Sequence, residues 1–137
     1  MFEAKHGKEI VVKVKNRTGL LFDLFKLLSE TGVGILAVNG AVSGDDSVIR
    51  LVTDDNRRAR EALAAKKYVV HEEEVILVRL PHKPGILKRI TEALVLEEID
   101  IRLLYATALV EQGECLLVLH TSNDEHALPR LNRVRPA

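Results

Sequence analysis

With 137 residues, 47% of them hydrophobic and 29% charged, the chain has a globular composition and room for one ordinary domain or two small ones. Its 20 basic and 20 acidic residues cancel to a net charge of zero, which argues against electrostatically driven binding to nucleic acid or to an anionic membrane. The single cysteine, Cys115, excludes an intrachain disulfide and fits a reducing compartment, and no apolar run reaches the ~18 residues of a membrane-spanning helix. A cytoplasmic protein is the expectation.

Met1 to Lys8 holds charges and a glycine but no apolar stretch, so it reads as a flexible tail and not as a secretory signal. Glu9 to Lys15 reads as a strand, with Ile10, Val12 and Val14 on one face and Val11, Lys13 and Lys15 on the other. A turn at Asn16-Arg17-Thr18-Gly19 follows. Leu20 to Glu30 then has apolar residues at helical spacing, with Thr18 as its expected N-cap and Thr31-Gly32 as its end. Val33 to Val42 is a second strand, Ser43-Gly44-Asp45-Asp46 a hairpin turn, and Val48 to Thr53 a third strand. Asp54-Asp55-Asn56 caps a helix over roughly 57–65, and Tyr68-Val69-Val70 opens a fourth strand.

The same order then repeats. Val75 to Leu80 is a strand, and His82-Lys83-Pro84-Gly85 is the turn, with Pro84 suited to the first helical turn. Leu87, Ile90 and Leu94 mark a helix to about Glu97. Ile99 to Val110 is a long strand, turned at Glu111-Gln112-Gly113, and Glu114 to His120 is its partner. Ser122-Asn123-Asp124 caps a helix to about Asn132. Gly19 and Gly85, 66 residues apart, sit in matching strand-to-helix turns, where glycine lets the chain turn sharply and leaves bare amides open to a ligand. The chain therefore reads as an α+β protein. It has two ferredoxin-like βαββαβ modules in tandem, residues 1–73 and 74–137, each an antiparallel sheet with its helices on one face.

Two features point to further packing. A fourth strand in the second module would begin near residue 135, so that module has a truncated last strand, and its first strand is left as an edge that something must cover: the tail, the other module or another subunit. In Ile99–Val110 the alternation puts Ile99, Ile101, Leu103 and Tyr105 on one face and Leu104, Ala106, Ala108 and Val110 on the other. Two apolar faces imply a second covering layer, by sheet packing between modules or in a homodimer.

The Asn16-Arg17-Thr18-Gly19-Leu20-Leu21 and His82-Lys83-Pro84-Gly85-Ile86-Leu87 loops, each between the first strand and first helix of such a unit, resemble those of the ACT domain family. The resemblance spans roughly residues 9–132 as two copies and is strongest to stand-alone tandem ACT proteins with no catalytic domain. It implies ferredoxin-like modules whose sheets join, with an amino acid bound at the interface between modules. On this resemblance Asn16 occupies the position of an asparagine that bonds the ligand in serine-sensing ACT domains, Gly19 and Gly85 match the family glycine, and Pro84 matches the proline. Thr18 and His82 depart from the pattern, and Gly34 and Asp100 stand where another asparagine is found. Arg17, Leu20 and Ile86 complete the loops, while Asn39 and Tyr105 hold equivalent places in the second strands.

Each residue also has a plainer reading. The glycines satisfy a tight turn, Asn16 an Asx turn and His82 a solvated loop, while Tyr105 and Cys115 suit a core. His71-Glu72-Glu73-Glu74 reads as the charged junction between modules, because consecutive residues of an extended chain point to alternate sides, which suits no metal. No catalytic constellation of Ser/His/Asp, Cys/His or metal-ligand type stands out, and no cofactor is implied. With aromatics at 4%, RNA binding on the sheet is not expected. The expectation is a non-enzymatic, allosteric amino-acid-binding protein that signals to a partner enzyme or regulator. The alternative is an interaction subunit with no ligand of its own.

Overall fold

A computed structural model describes residues 3–109 and 113–134. These form six strands and four helices: β1 (Glu3–Lys15), α1 (Leu20–Glu30), β2 (Ile35–Ser43), β3 (Asp46–Thr53), α2 (Asn56–Ala65), β4 (Val70–Pro81), α3 (Ile86–Val95), β5 (Ile101–Leu109), β6 (Glu114–Thr121) and α4 (Asp124–Leu131). The expected order βαββαβ opens the chain and αββα follows it, with β4 ending the first copy and beginning the second. The turn at Glu111-Gln112 and the stretch from residue 135 lie outside the described residues.

The chain divides into two compact units, Lys8–Glu73 and a second comprising Met1–Gly7 with Glu74–Ala137. The division falls inside β1 and inside β4, so both strands are longer than the alternation indicates. The His71–Glu74 run, read as a junction, lies within β4. Its side chains alternate as an extended chain requires: Glu72 meets Arg60 of α2 at 2.8 Å, while His71 and Glu73 share one side at 3.0 Å.

In the first unit β3 lies between β1 and β2, antiparallel to both. Ile10, Val12, Ile49 and Leu51 meet Leu20, Leu24 and Leu28 of α1 and Ala59 and Leu63 of α2, so both helices cover one sheet face. Asp55 caps α2 by accepting from the Arg58 N–H. Glu9 is fully buried, with Arg50 bonding it at 2.6 Å and also bonding Glu73 at 2.9 Å. The His71 bond, then Arg50, holds the Glu73 carboxyl below the usual carboxylate range against the opposing effect of burial.

In the second unit β6 lies between β4 and β5. Ile76, Val78, Leu80, Leu117 and Leu119 pack against Ile86, Ile90 and Leu94 of α3 and Ala127 and Leu131 of α4. Asn123 caps α4 through the His126 N–H. The place beside β4, where a fourth strand belongs, is taken by the opening of β1. Ala4 is part of this core, and its N–H and C=O both bond the Asn132 side-chain amide, at 2.9 and 3.0 Å. A Cβ on Gly7 would sit 2.6 Å from Leu77 Cδ1, so any larger residue there would have to displace the Leu77 side chain. The expected tail is thus ordered strand from Glu3, and it supplies the cover that the truncated module needs.

The faces of β5 are the reverse of the sequence reading. A register shift between Ile101 and Leu103 moves every later residue to the other side. Leu104 and Ala106 pair with the core residues Leu119 and Leu117 and lie on the helix side, whereas Leu103 and Tyr105 pair with His120 and Val118 on the open side. A matching shift between Ile35 and Ala37 puts Asn39, opposite Arg50, on the open side of the first unit. The side of the second unit away from the helices still carries Tyr105 and Val118, both buried, and the half-buried Leu77, so both faces are apolar, with their membership exchanged. The side chains of Ala108 and Leu109 and the whole of Val110 lie outside the described residues.

Candidate ligand-binding site

The two strand-to-helix loops have the same backbone solution. Gly19 (φ 87°) and Gly85 (φ 85°) are both left-handed and form the N-caps of α1 and α3. An L-residue there costs roughly 1–2 kcal/mol, which explains the glycines without a ligand. Neither helix has a side-chain cap, so Thr18 is not one, and Pro84 precedes the helix that it was expected to begin. The Asn16 N–H bonds the Asp45 carbonyl at 2.8 Å, and the His82 N–H bonds the Gly113 carbonyl at 2.7 Å, tying each loop to the hairpin beside it.

The side chains differ. Asn16 Oδ1 accepts from Ser47 Oγ at 2.8 Å, a cross-strand bond in place of an Asx turn. Arg17 bonds Asp23, which raises its already high pKa. Both first-loop polar groups are therefore engaged within their own unit. Leu20 is buried in the core, and Leu21 lies against Gly40, 3.8 Å from where a Cβ would stand.

In the second unit His82, Gly85 and Ile86 line a cavity of about 300 Å³ together with Lys83, Leu87, Lys88, Ala106, Thr107 and Cys115. This is at the small end of ligand-pocket sizes. The floor is apolar: Ile86 and Cys115 are nearly buried, and burial pushes the Cys115 thiol up, so it stays protonated. An outer depression of about 620 Å³ is lined by Lys83, Pro84, Gly85, Ile86, Lys88, Arg89 and Glu92.

Four expected residues are not brought to these loops. Asp100 lies at the far end of β5, where its N–H bonds Ser122 Oγ at 3.0 Å and Arg102 approaches at 3.9 Å. Gly34 makes the equivalent link in the first unit, from its N–H to Asp54 at 2.9 Å. Asn39 and Tyr105 point to the open side. Conversely, Lys83, Lys88, Ala106, Thr107 and Cys115 join the cavity unforeseen. The signal for Ala106 was the repeat itself: it matches Gly40, which faces Leu21 just as Ala106 shares the cavity with Leu87.

A family model for the ACT domain pair matches residues 7–131. The chain belongs to the ACT domain pair family. Solved structures agree on the architecture. A protein from Bacteroides thetaiotaomicron is 22% identical with a TM-score of 0.86, covering 94% of this chain and 88% of its own. The regulatory subunit of aspartate kinase from Thermus thermophilus, in a ligand-free form, is 14% identical at a TM-score of 0.68, with coverages of 97% and 95%. The corresponding subunit from Thermus flavus is 15% identical at 0.61, with coverages of 97% and 94%. At these identities the likeness is one of fold. No curated protein matches this ACT pair. Among its described residues no helix is long and apolar enough to cross a membrane.

Proposed function

We propose that this ACT pair is a non-catalytic cytoplasmic regulator that binds an amino acid at the loop preceding the first helix, where ACT modules meet, and passes its occupancy to a partner in amino-acid metabolism. The observation that carries this reading is the cavity opening on the Gly85 loop: small, apolar at its floor, with polar groups at its rim. The helix N-terminus behind Gly85 favours a carboxylate. The aspartate kinase regulatory subunits of the same architecture make an amino-acid-metabolising enzyme the natural kind of partner. Copies of the chain would meet as a homodimer, since edge strand β2 leaves Val38 and Val42 exposed beside Leu21 of α1. Ligand then shifts the preferred arrangement by no more than its differential affinity for the two states.

A thermal-shift screen over the amino acids tests the reading. At least one should raise the melting temperature, and Gly85→Val should abolish the rise. No response to any of them would sink it. The engagement of Asn16 and Arg17 within their own unit favours a second reading, an interaction subunit without a ligand. A partner recovered by affinity capture whose binding ignores every amino acid would favour that alternative.

A further inference from the structure

The cavity of the second unit has a one-sided charge. Its rim holds Lys83 and Lys88 with His82 beside them, and no carboxylate is among the lining residues. Lys83 makes no ion pair among the described residues, and Lys88 has only Glu92, at 3.8 Å between two exposed side chains. A contact of that kind leaves most of the cationic field intact. The outer depression is lined by the same two lysines with Arg89 and Glu92. The matching first-unit loop is different: Arg17 is occupied by Asp23. In a chain of zero net charge, this local excess of cations is particular to one loop.

The remaining lining restricts the ligand further. Ala106, Cys115 and Leu87 offer no charge, and Thr107 supplies one hydroxyl. A basic amino acid would bring its cation against Lys83 and Lys88, with no acid among the described residues that line the cavity to receive it. A neutral one would satisfy only the loop amides. A small acid with two carboxylates meets both demands, one at the start of α3 and one at the lysines. About 300 Å³ suits a molecule of that size.

We propose that the second-unit cavity selects a small diacid, an acidic amino acid or a plain dicarboxylate, over neutral and basic amino acids, with Lys83 as the specificity-determining cation. This rests on the reading that the Gly85 loop binds a small ligand, and it names the class.

The test is isothermal titration calorimetry on the full chain with L-aspartate, L-glutamate, succinate, L-threonine and L-lysine. The acids should bind at least tenfold more tightly than threonine or lysine. Aspartate or glutamate exceeding succinate identifies an amino acid as the ligand, and the reverse order a plain dicarboxylate. Lys83→Gln should weaken the acids at least fivefold and leave threonine unchanged. Lys26→Gln, an exposed first-unit change, should do nothing. Circular dichroism melting of each variant separates loss of binding from loss of fold. Threonine or lysine binding as tightly as the acids, or Lys83→Gln leaving the acids unaffected, overturns the selectivity while the sensor reading stands. Silence across all five ligands and the wider amino-acid screen overturns both.

Discussion

In the first unit the residue at the mouth of the glycine loop, Asn16, bonds Ser47 and its neighbour Arg17 bonds Asp23. In the second unit the matching His82 and Lys83 line an open cavity. The backbones are the same down to the left-handed glycine and the bond to the hairpin. The repeat therefore conserves the scaffold of a site without conserving the site. Three chemical choices decide which loop is available: whether a hydroxyl donor sits across the strand, as Ser47 does where the second unit has Cys115, whether an acid follows on the helix, and whether the second strand presents glycine or alanine to the helix.

The comparison extends to how each unit is held together. The first buries Glu9 against Arg50, and Arg50→Ala would leave that carboxylate without its guanidinium. We expect a loss of about 3–5 kcal/mol, measured by urea denaturation. Replacing both partners by apolar residues, Glu9→Leu with Arg50→Met, should recover most of it. The second unit depends instead on the opening of β1. Deleting residues 1–7 removes two bonds to Asn132, at about 1 kcal/mol each, and uncovers the β4 edge. Amide exchange at Ile76–Leu80 should quicken at least tenfold, while α1 and β3 of the first unit keep their protection.

Next in size, Gly19→Ala and Gly85→Ala should each cost roughly 1–2 kcal/mol, because only the left-handed backbone objects. Equal losses would sharpen the claim that the loops share one scaffold, and a difference of more than about 1 kcal/mol would break it. The smallest effect is on acid sensitivity. Each unit has one carboxyl held low: Glu73 by His71 and Arg50, and Glu97 by His126 with Arg130 nearby. A lowered carboxylate contributes stability that is complete above its ordinary pKa and lost as pH falls through the lowered one. Glu73→Gln and Glu97→Gln should therefore each lower the urea midpoint slightly at neutral pH and flatten its fall below about pH 4.5, so that variant and parent converge at low pH.

Element order was legible because most strands carry apolar, largely β-branched runs, α1 and α3 begin after a glycine, and α2 and α4 begin after the capping residues Asp55 and Asn123. Three things were not. Glu3-Ala4-Lys5-His6-Gly7 has one apolar side chain and no alternation, and it is a strand because β4 and Asn132 supply partners from far along the chain. The faces of β5 were misread because a single extra residue after Ile101 inverts all that follow, and no residue type there announces it. That inversion hid Ala106 from the site and drew Tyr105 toward it. Lys83 and Lys88 are exposed charges that no motif singles out. What sets Lys83 apart is that it makes no ion pair among the described residues, a property of spacing in three dimensions.

The account is tested most directly by the amide NMR spectrum of the full chain during titration with L-aspartate. It predicts shifts concentrated at Lys83, Gly85, Ile86, Lys88, Ala106 and Thr107, with Asn16, Arg17 and Gly19 unmoved. Shifts centred on the Asn16–Gly19 loop, or no shifts at all, would contradict it.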